Sequence, residues 1–145
     1  MNRNRLGDKM YFIISGEPTG KGRAKFARRG NFVSTYTPEK TVLYENLVKL
    51  CYQEQCGTYS EKSLSVEIYI YHSIPKSTPK KYIEEMLKGN IRPSKKPDID
   101  NICKVILDAL NGIAYKDDTQ VYHLEATKRY AKEPSVQVYI TEHAE

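Results

Sequence analysis

The 145-residue chain has no tryptophan, three phenylalanines and three cysteines. Cys51, Cys56 and Cys103 are odd in number, form no Cys-x-x-Cys pair and have no histidine at zinc-ligand spacing. That excludes a disulfide framework and a zinc ribbon, and it predicts a reduced, cytoplasmic setting. There is no run of apolar residues long enough to span a bilayer and no signal-peptide pattern, so the chain is expected to be neither secreted nor membrane-spanning. Acids are the minority charge, 18 against 23 lysines and arginines, for a formal net charge of +5. An excess of that sign favours an anionic partner. The twelve tyrosines are expected mostly half-buried on strands.

The length fits one domain, residues 1–145, with its own core. Residues 1–9 are polar and basic and read as a loose terminus. Met10 to Ser15 is β-branched and aromatic, a strand, and Gly16 to Gly22 breaks it. Gly16-Glu17-Pro18-Thr19-Gly20-Lys21-Gly22 is not a nucleotide-binding loop. Its glycines are too close together, Gly22 stands where a Ser or Thr must meet magnesium, and no apolar helix follows. No nucleotide cofactor is expected. Lys21, Arg23, Lys25, Arg28 and Arg29 then follow with no acid among them and with Phe26 in their midst, as in a basic hairpin that reaches a nucleic-acid backbone; a merely solvated charge run is the plainer alternative. Gly30-Asn31 is a turn and Phe32–Tyr36 a return strand.

Thr37 as cap and Pro38 in the first position predict a helix to about Gln55, with Val42, Leu43, Leu47, Leu50 and Cys51 on its apolar face and Gly57 beyond its end. Ser63–His72 alternates as a strand, with His72 structural or solvated rather than catalytic. Thr78-Pro79 opens a helix through Leu87, and Lys95 and Lys96 belong to a second basic region. Ile113-Ala114-Tyr115 reads as a short strand, Val121–Thr127 as another that extends towards Tyr130, and Ser135–Thr141 as the last. The order predicts an α+β fold: a small mixed or antiparallel sheet with helices on one face.

The chemistry concentrates between Pro97 and Asp118. Five aspartates fall between Asp98 and Asp118 in this otherwise basic chain. Ile102, Val105, Ile106, Ala109 and Leu110 give a helix one apolar face, and Gly112 stops it. Asp100, Lys104 and Asp108, four apart, share a different stripe that can look into a cleft. The bland alternative has Asp98 or Asp100 as a helix cap, Lys104–Asp108 as an exposed ion pair and Asp117-Asp118 as a turn. Two aspartates at a helix entrance can instead converge on one cation, joined by Asp117 or Asp118 from the following turn. Oxygen-only ligands suit Mg²⁺, with Mn²⁺ as a substitute. A calcium EF-hand is excluded, because Ile102 stands where the next oxygen ligand belongs and Cys103 replaces the required glycine.

Lys96-Pro97-Asp98-Ile99-Asp100-Asn101, Lys104, Leu107-Asp108-Ala109-Leu110-Asn111-Gly112 and Asp117-Asp118-Thr119-Gln120-Val121 together closely resemble the RusA family of Holliday junction resolvases. Gly16–Arg23 and Tyr36-Thr37-Pro38 resemble it more weakly. The resemblance implies a small, dimeric, Mg²⁺-dependent endodeoxyribonuclease of phage or prophage type that acts on four-way DNA junctions in recombination and repair. It implies Asp98, Asp100 and Asp118 as metal ligands, with Asp117 as the fallback, and Lys104 as the catalytic lysine. Asp108 is then placed to orient Lys104, and Asn101 to donate from behind the ligands. A different Mg²⁺-dependent nuclease and a non-cleaving binder of branched nucleic acid are the alternatives.

Overall fold

The structure, a computed structural model, describes residues 4–144, without the Arg29 side chain. Its strands and helices run β1 (Arg5–Leu6), β2 (Lys9–Ser15), β3 (Lys25–Arg29), β4 (Phe32–Tyr36), α1 (Glu39–Gln55), β5 (Ser63–Ser73), α2 (Lys80–Lys88), α3 (Ile99–Ala109), β6 (Val121–Ala131) and β7 (Ser135–His143), with a 3₁₀ turn at Asp118–Gln120 between α3 and β6. Five strands form one sheet in the order β1-β2-β7-β5-β6; β3 and β4 pair only with each other. All pairs are antiparallel except β5 with β6. This is the expected α+β class.

Alternation on each strand builds the core. Phe12, Val138, Ile68 and Ala126 lie in one row across β2, β7, β5 and β6, and Met10, Ile140, Val66 and Leu124 in the next. The three inner strands of each row are fully buried. Helices α1 and α3 cover that face, α3 through Ile102, Val105, Ile106 and Ala109. Truncating one such buried isoleucine to alanine typically costs about 2–5 kcal/mol. Half-buried tyrosines occupy the opposite face, where the rings of Tyr11 and Tyr69 pack against that of Tyr139 at 5.8 and 5.7 Å. At the β6 edge the rows run out: Leu124 is exposed and Ala126 only partly covered. The sheet therefore opens into a cleft beneath α3.

Several expectations are corrected. Residues 1–3 lie outside the described residues, but Arg5-Leu6 is a strand. Gly7, at φ +62°, turns the chain so that Arg5 and Leu6 pair with Met10 and Lys9. Arg5 then reaches Glu142 at 2.5 Å. Ile113-Ala114-Tyr115 is not a strand: Ile113 and Ala114 turn, and Tyr115 makes isolated bridges to Ser60 and Asn111, is fully buried and donates its hydroxyl to the Leu107 carbonyl at 2.6 Å. In α1, Pro38 is the cap residue and Thr37 lies outside; no side chain caps this end. The buried face of α1 is Thr41, Tyr44, Val48 and Tyr52, while Val42, Leu43, Leu47 and Leu50 are exposed. Tyrosine decides this: Tyr52 sets its ring edge-on to Phe12 and donates its hydroxyl to the Thr58 carbonyl, so both ends of the side chain are satisfied inside.

Candidate active site

A cleft of about 500 Å³ lies between α3 and β6, lined by Ile99, Asp100, Cys103, Lys104, Leu107, Asp108, Asp118, Leu124 and Ala126. The α3 stripe reaches it because the face of the helix that carries Val105, Ile106 and Ala109 is spent on the core. Asp118 arrives from the turn that follows. The sheet and one helix face thus bring together Asp100, Lys104, Asp108 and Asp118.

The turn is fixed by two side chains. Asn111 accepts the Asp118 backbone N–H at 2.8 Å. Gln120 accepts from the backbone N–H groups of Lys116 and Asp117 at 2.9 and 3.0 Å, and donates to the carbonyls of Ser60 and Lys62. Asp117 turns its own carboxylate back onto the Thr119 N–H and completes a capping box with Gln120. So Asp118 lines the cleft, and Asp117 caps the turn on a separate surface. Asn111 and Gln120 carried the family resemblance but were given no role from sequence, although the Asp117-to-Gln120 spacing is the capping-box signature.

Crowding marks the electrostatics. Burial raises the Asp118 carboxyl above its ordinary range, and the neighbouring Asp117 and Asp108 raise it further against the Asn111 hydrogen bond. A cation in the cleft relieves such crowding, so the chemistry of this oxygen-only set fits a hard divalent ion. The set is not closed, however: among the described residues, no three Asp, Glu, His or Cys side chains are gathered tightly enough to hold a metal. Burial, with Asp100 beside it, pushes the Cys103 thiol up to about 11, which keeps it protonated.

Asp98 lies elsewhere. It is the cap residue of α3, yet its side chain makes no cap hydrogen bond, and it faces a neighbouring groove with Lys96, Pro97, Asn101 and Lys40. The loop Thr19–Gly22 forms the other wall of this groove. Gly20 is required there, since a Cβ would stand 2.8 Å from that of Pro97. The Lys21 N–H binds the Asn101 carbonyl at 3.0 Å, and the Gly22 N–H binds the Thr41 hydroxyl at 2.9 Å.

Two expected roles are reassigned by this packing. Lys21 is not part of an exposed basic arm; its ammonium sits 3.2 Å from Glu45 and 3.4 Å from Asp108, tying α1 to α3. Asp108 therefore pairs with Lys21 rather than orienting Lys104, which makes no ion pair among the described residues. Arg23, Lys25 and Arg28 are exposed or half-exposed, as are Lys95 and Lys96 before α3; the Arg29 side chain lies outside the described residues. Lys128, unremarked in the sequence, donates from β6 to the carbonyls of Lys95 and Pro97 at 2.7 and 3.1 Å and so anchors the approach to α3.

Residues 15–141 match the sequence profile of the family described as endodeoxyribonuclease RusA. The uncharacterized protein YqaN of Bacillus subtilis (strain 168) is 38% identical over 138 residues, which cover 93% of this chain and 97% of that protein.

Proposed function

The chain belongs to the RusA family of endodeoxyribonucleases and is thereby a DNA-cutting enzyme, and we propose that it resolves four-way junctions by paired, Mg²⁺-dependent nicks. The observation that carries this reading is the cleft in which α3 and the following turn set Asp100, Asp118 and Lys104 around one space. In this reading Asp100 and Asp118 would hold Mg²⁺ from the cleft, with Mn²⁺ as substitute, and Asp98, which faces the adjoining groove and makes no cap hydrogen bond, would complete the set by turning its side chain towards them. Bound there, the ion supplies Lewis-acid polarisation of the scissile phosphate. Lys104, exposed and without an ion-pair partner among the described residues, faces the negative charge that builds on the phosphate. The clamp of Asn111 and Gln120 holds Asp118 in place while that charge moves.

A junction offers two symmetric phosphates, which calls for two sites related by a two-fold axis. The exposed stripe Leu43, Leu47 and Leu50 on α1 favours a homodimer, because apolar residues in file along a solvent-facing helix mark a contact surface.

The test is a labelled synthetic four-way junction incubated with the protein in Mg²⁺ and in EDTA. Cutting in Mg²⁺ alone is expected. Asp100→Asn and Asp118→Asn should abolish it while junction binding persists. Lys104→Met, which keeps the apolar stem, should lose about 10²–10³ in rate. A folded protein that binds junctions and cuts them in neither Mg²⁺ nor Mn²⁺ overturns the reading.

A further inference from the structure

The β3–β4 ribbon holds its large apolar side chains in solvent. Phe26 is 74% exposed, Phe32 80%, Val33 64% and Tyr36 51%. Its strands pair only with each other. Cross-strand partners share a face, so the register Phe26↔Thr35 and Arg28↔Val33 puts Phe26, Arg28 and Val33 on one side. The alternate positions Lys25, Tyr36 and Phe32 take the other side. Each face thus carries one exposed phenylalanine and at least one cation.

A ribbon that docks on a protein surface hides one apolar face and leaves the other polar. This one is apolar and basic on both, which suits an element inserted between two surfaces rather than laid on one. Its charge selects the partner. Residues 18–38 include no acid, and Arg23, Lys25 and Arg28 form no ion pair among the described residues. Two copies of the ribbon therefore repel each other, whereas phosphates attract it. Its roots are also informative. Gly22, three residues before β3, packs on Pro38 and Thr41, two and five residues beyond β4. Both ends are therefore anchored at the groove that holds Asp98, and strands of this length reach about 17 Å from it.

We propose that this ribbon is a wedge for DNA bases: Phe26 and Phe32, one on each face, stack on bases unstacked at a branch point while Arg23, Lys25 and Arg28 hold the adjoining phosphates. The proposal rests on branched DNA as the substrate and adds how the branch is recognised. Apolar side chains that enter a base step of continuous duplex must offset the cost of unstacking it, and a branch point, where stacking is already interrupted, lowers that cost. Phosphate contacts alone bind any duplex arm; the phenylalanines give the preference for the branch.

The chain lacks tryptophan, so Phe32→Trp installs the sole indole, at a position too exposed to disturb folding. In EDTA, where the DNA stays intact, its emission should be quenched by a four-way junction and little by a duplex of the same arm sequence. The double variant Phe26→Ala, Phe32→Ala should lose roughly ten-fold or more of its junction affinity, keep its duplex affinity, and fail to brighten 2-aminopurine placed at the branch point. An unquenched indole on a bound junction, or a double variant that binds junction as wild type does, overturns the wedge. So does a change of oligomeric state in the double variant, which makes the ribbon a protein contact. Wild-type protein with no preference for junction over duplex removes the branched-substrate reading itself, a result distinct from a silent ribbon on a junction that is still preferred and cut.

Discussion

His72, next to last in β5, has its ring inside the fold, 1% exposed, and its Nε2 has no hydrogen-bond partner among the described residues. Burial lowers its pKa to about 4, assisted by Lys128 and Lys95 and opposed by Glu17. The folded value lies below the ordinary 6.5, so the unfolded chain binds the proton first. Stability from the neutral ring is full above about pH 6.5 and drains as pH falls towards 4. His72→Leu should flatten the fall in melting temperature across that window; an unchanged slope would mean that carboxylates alone set it. The sequence left this histidine as structural or solvated, and the structure places it inside, on the alternating buried face of β5. The sequence did not tell where the Asp-x-Asp carboxylates point. Positions two apart on a helix lie on different sides, and Asp98, still outside the helix, faces the groove while Asp100 faces the cleft. Lys21 was misread for a related reason: a run of like charges says nothing of the two acids, Glu45 and Asp108, that folding brings to one of its members.

Among elements, α3, β5 and β7 were legible because each devotes a clean periodicity to one buried face. Helix α1 was legible in extent and wrong in facing, as apolar periodicity marks a sticky stripe without saying whether the core or a partner covers it. The loop Gly16–Gly22 was legible only as a break after β2; its service as a brace between two helix starts depends on contacts at distant residues. That brace separates two kinds of cation. Lys21→Met removes both ion pairs and should destabilise the fold by about 1–2 kcal/mol, between an exposed pair and a buried one, with the salt slope of DNA binding unchanged. Arg23→Ala with Lys25→Ala should do the reverse, with a steady melting temperature and a log–log salt slope lower by about 0.9 for each phosphate no longer neutralised. Thermal melts and salt titrations of the two variants check both halves.

For the whole molecule, Leu43→Glu with Leu50→Glu places charge on the α1 stripe. Sedimentation should show a monomer with unchanged helicity, and a cruciform plasmid should be nicked in one strand rather than linearised by paired cuts. A variant that stays dimeric would move the interface elsewhere. The order of strands in the sheet was not readable in advance, because burial patterns state which residues face inward and not which strands are neighbours. That order has a consequence for biosynthesis. Strand β7, the last in sequence of the described strands, lies between β2 and β5 and alone joins them. Until Ser135–His143 has left the ribosome, the early strand and the later parallel pair are two fragments, each with an open edge along which other nascent chains can pair. The wall of the cleft that belongs to β6 pairs with β5, and that pair joins β1 and β2 in the sheet only through the closing strand. An interrupted translation product therefore carries the aspartates, the lysine and the basic ribbon without the strand that joins the β5–β6 wall of the cleft to β2.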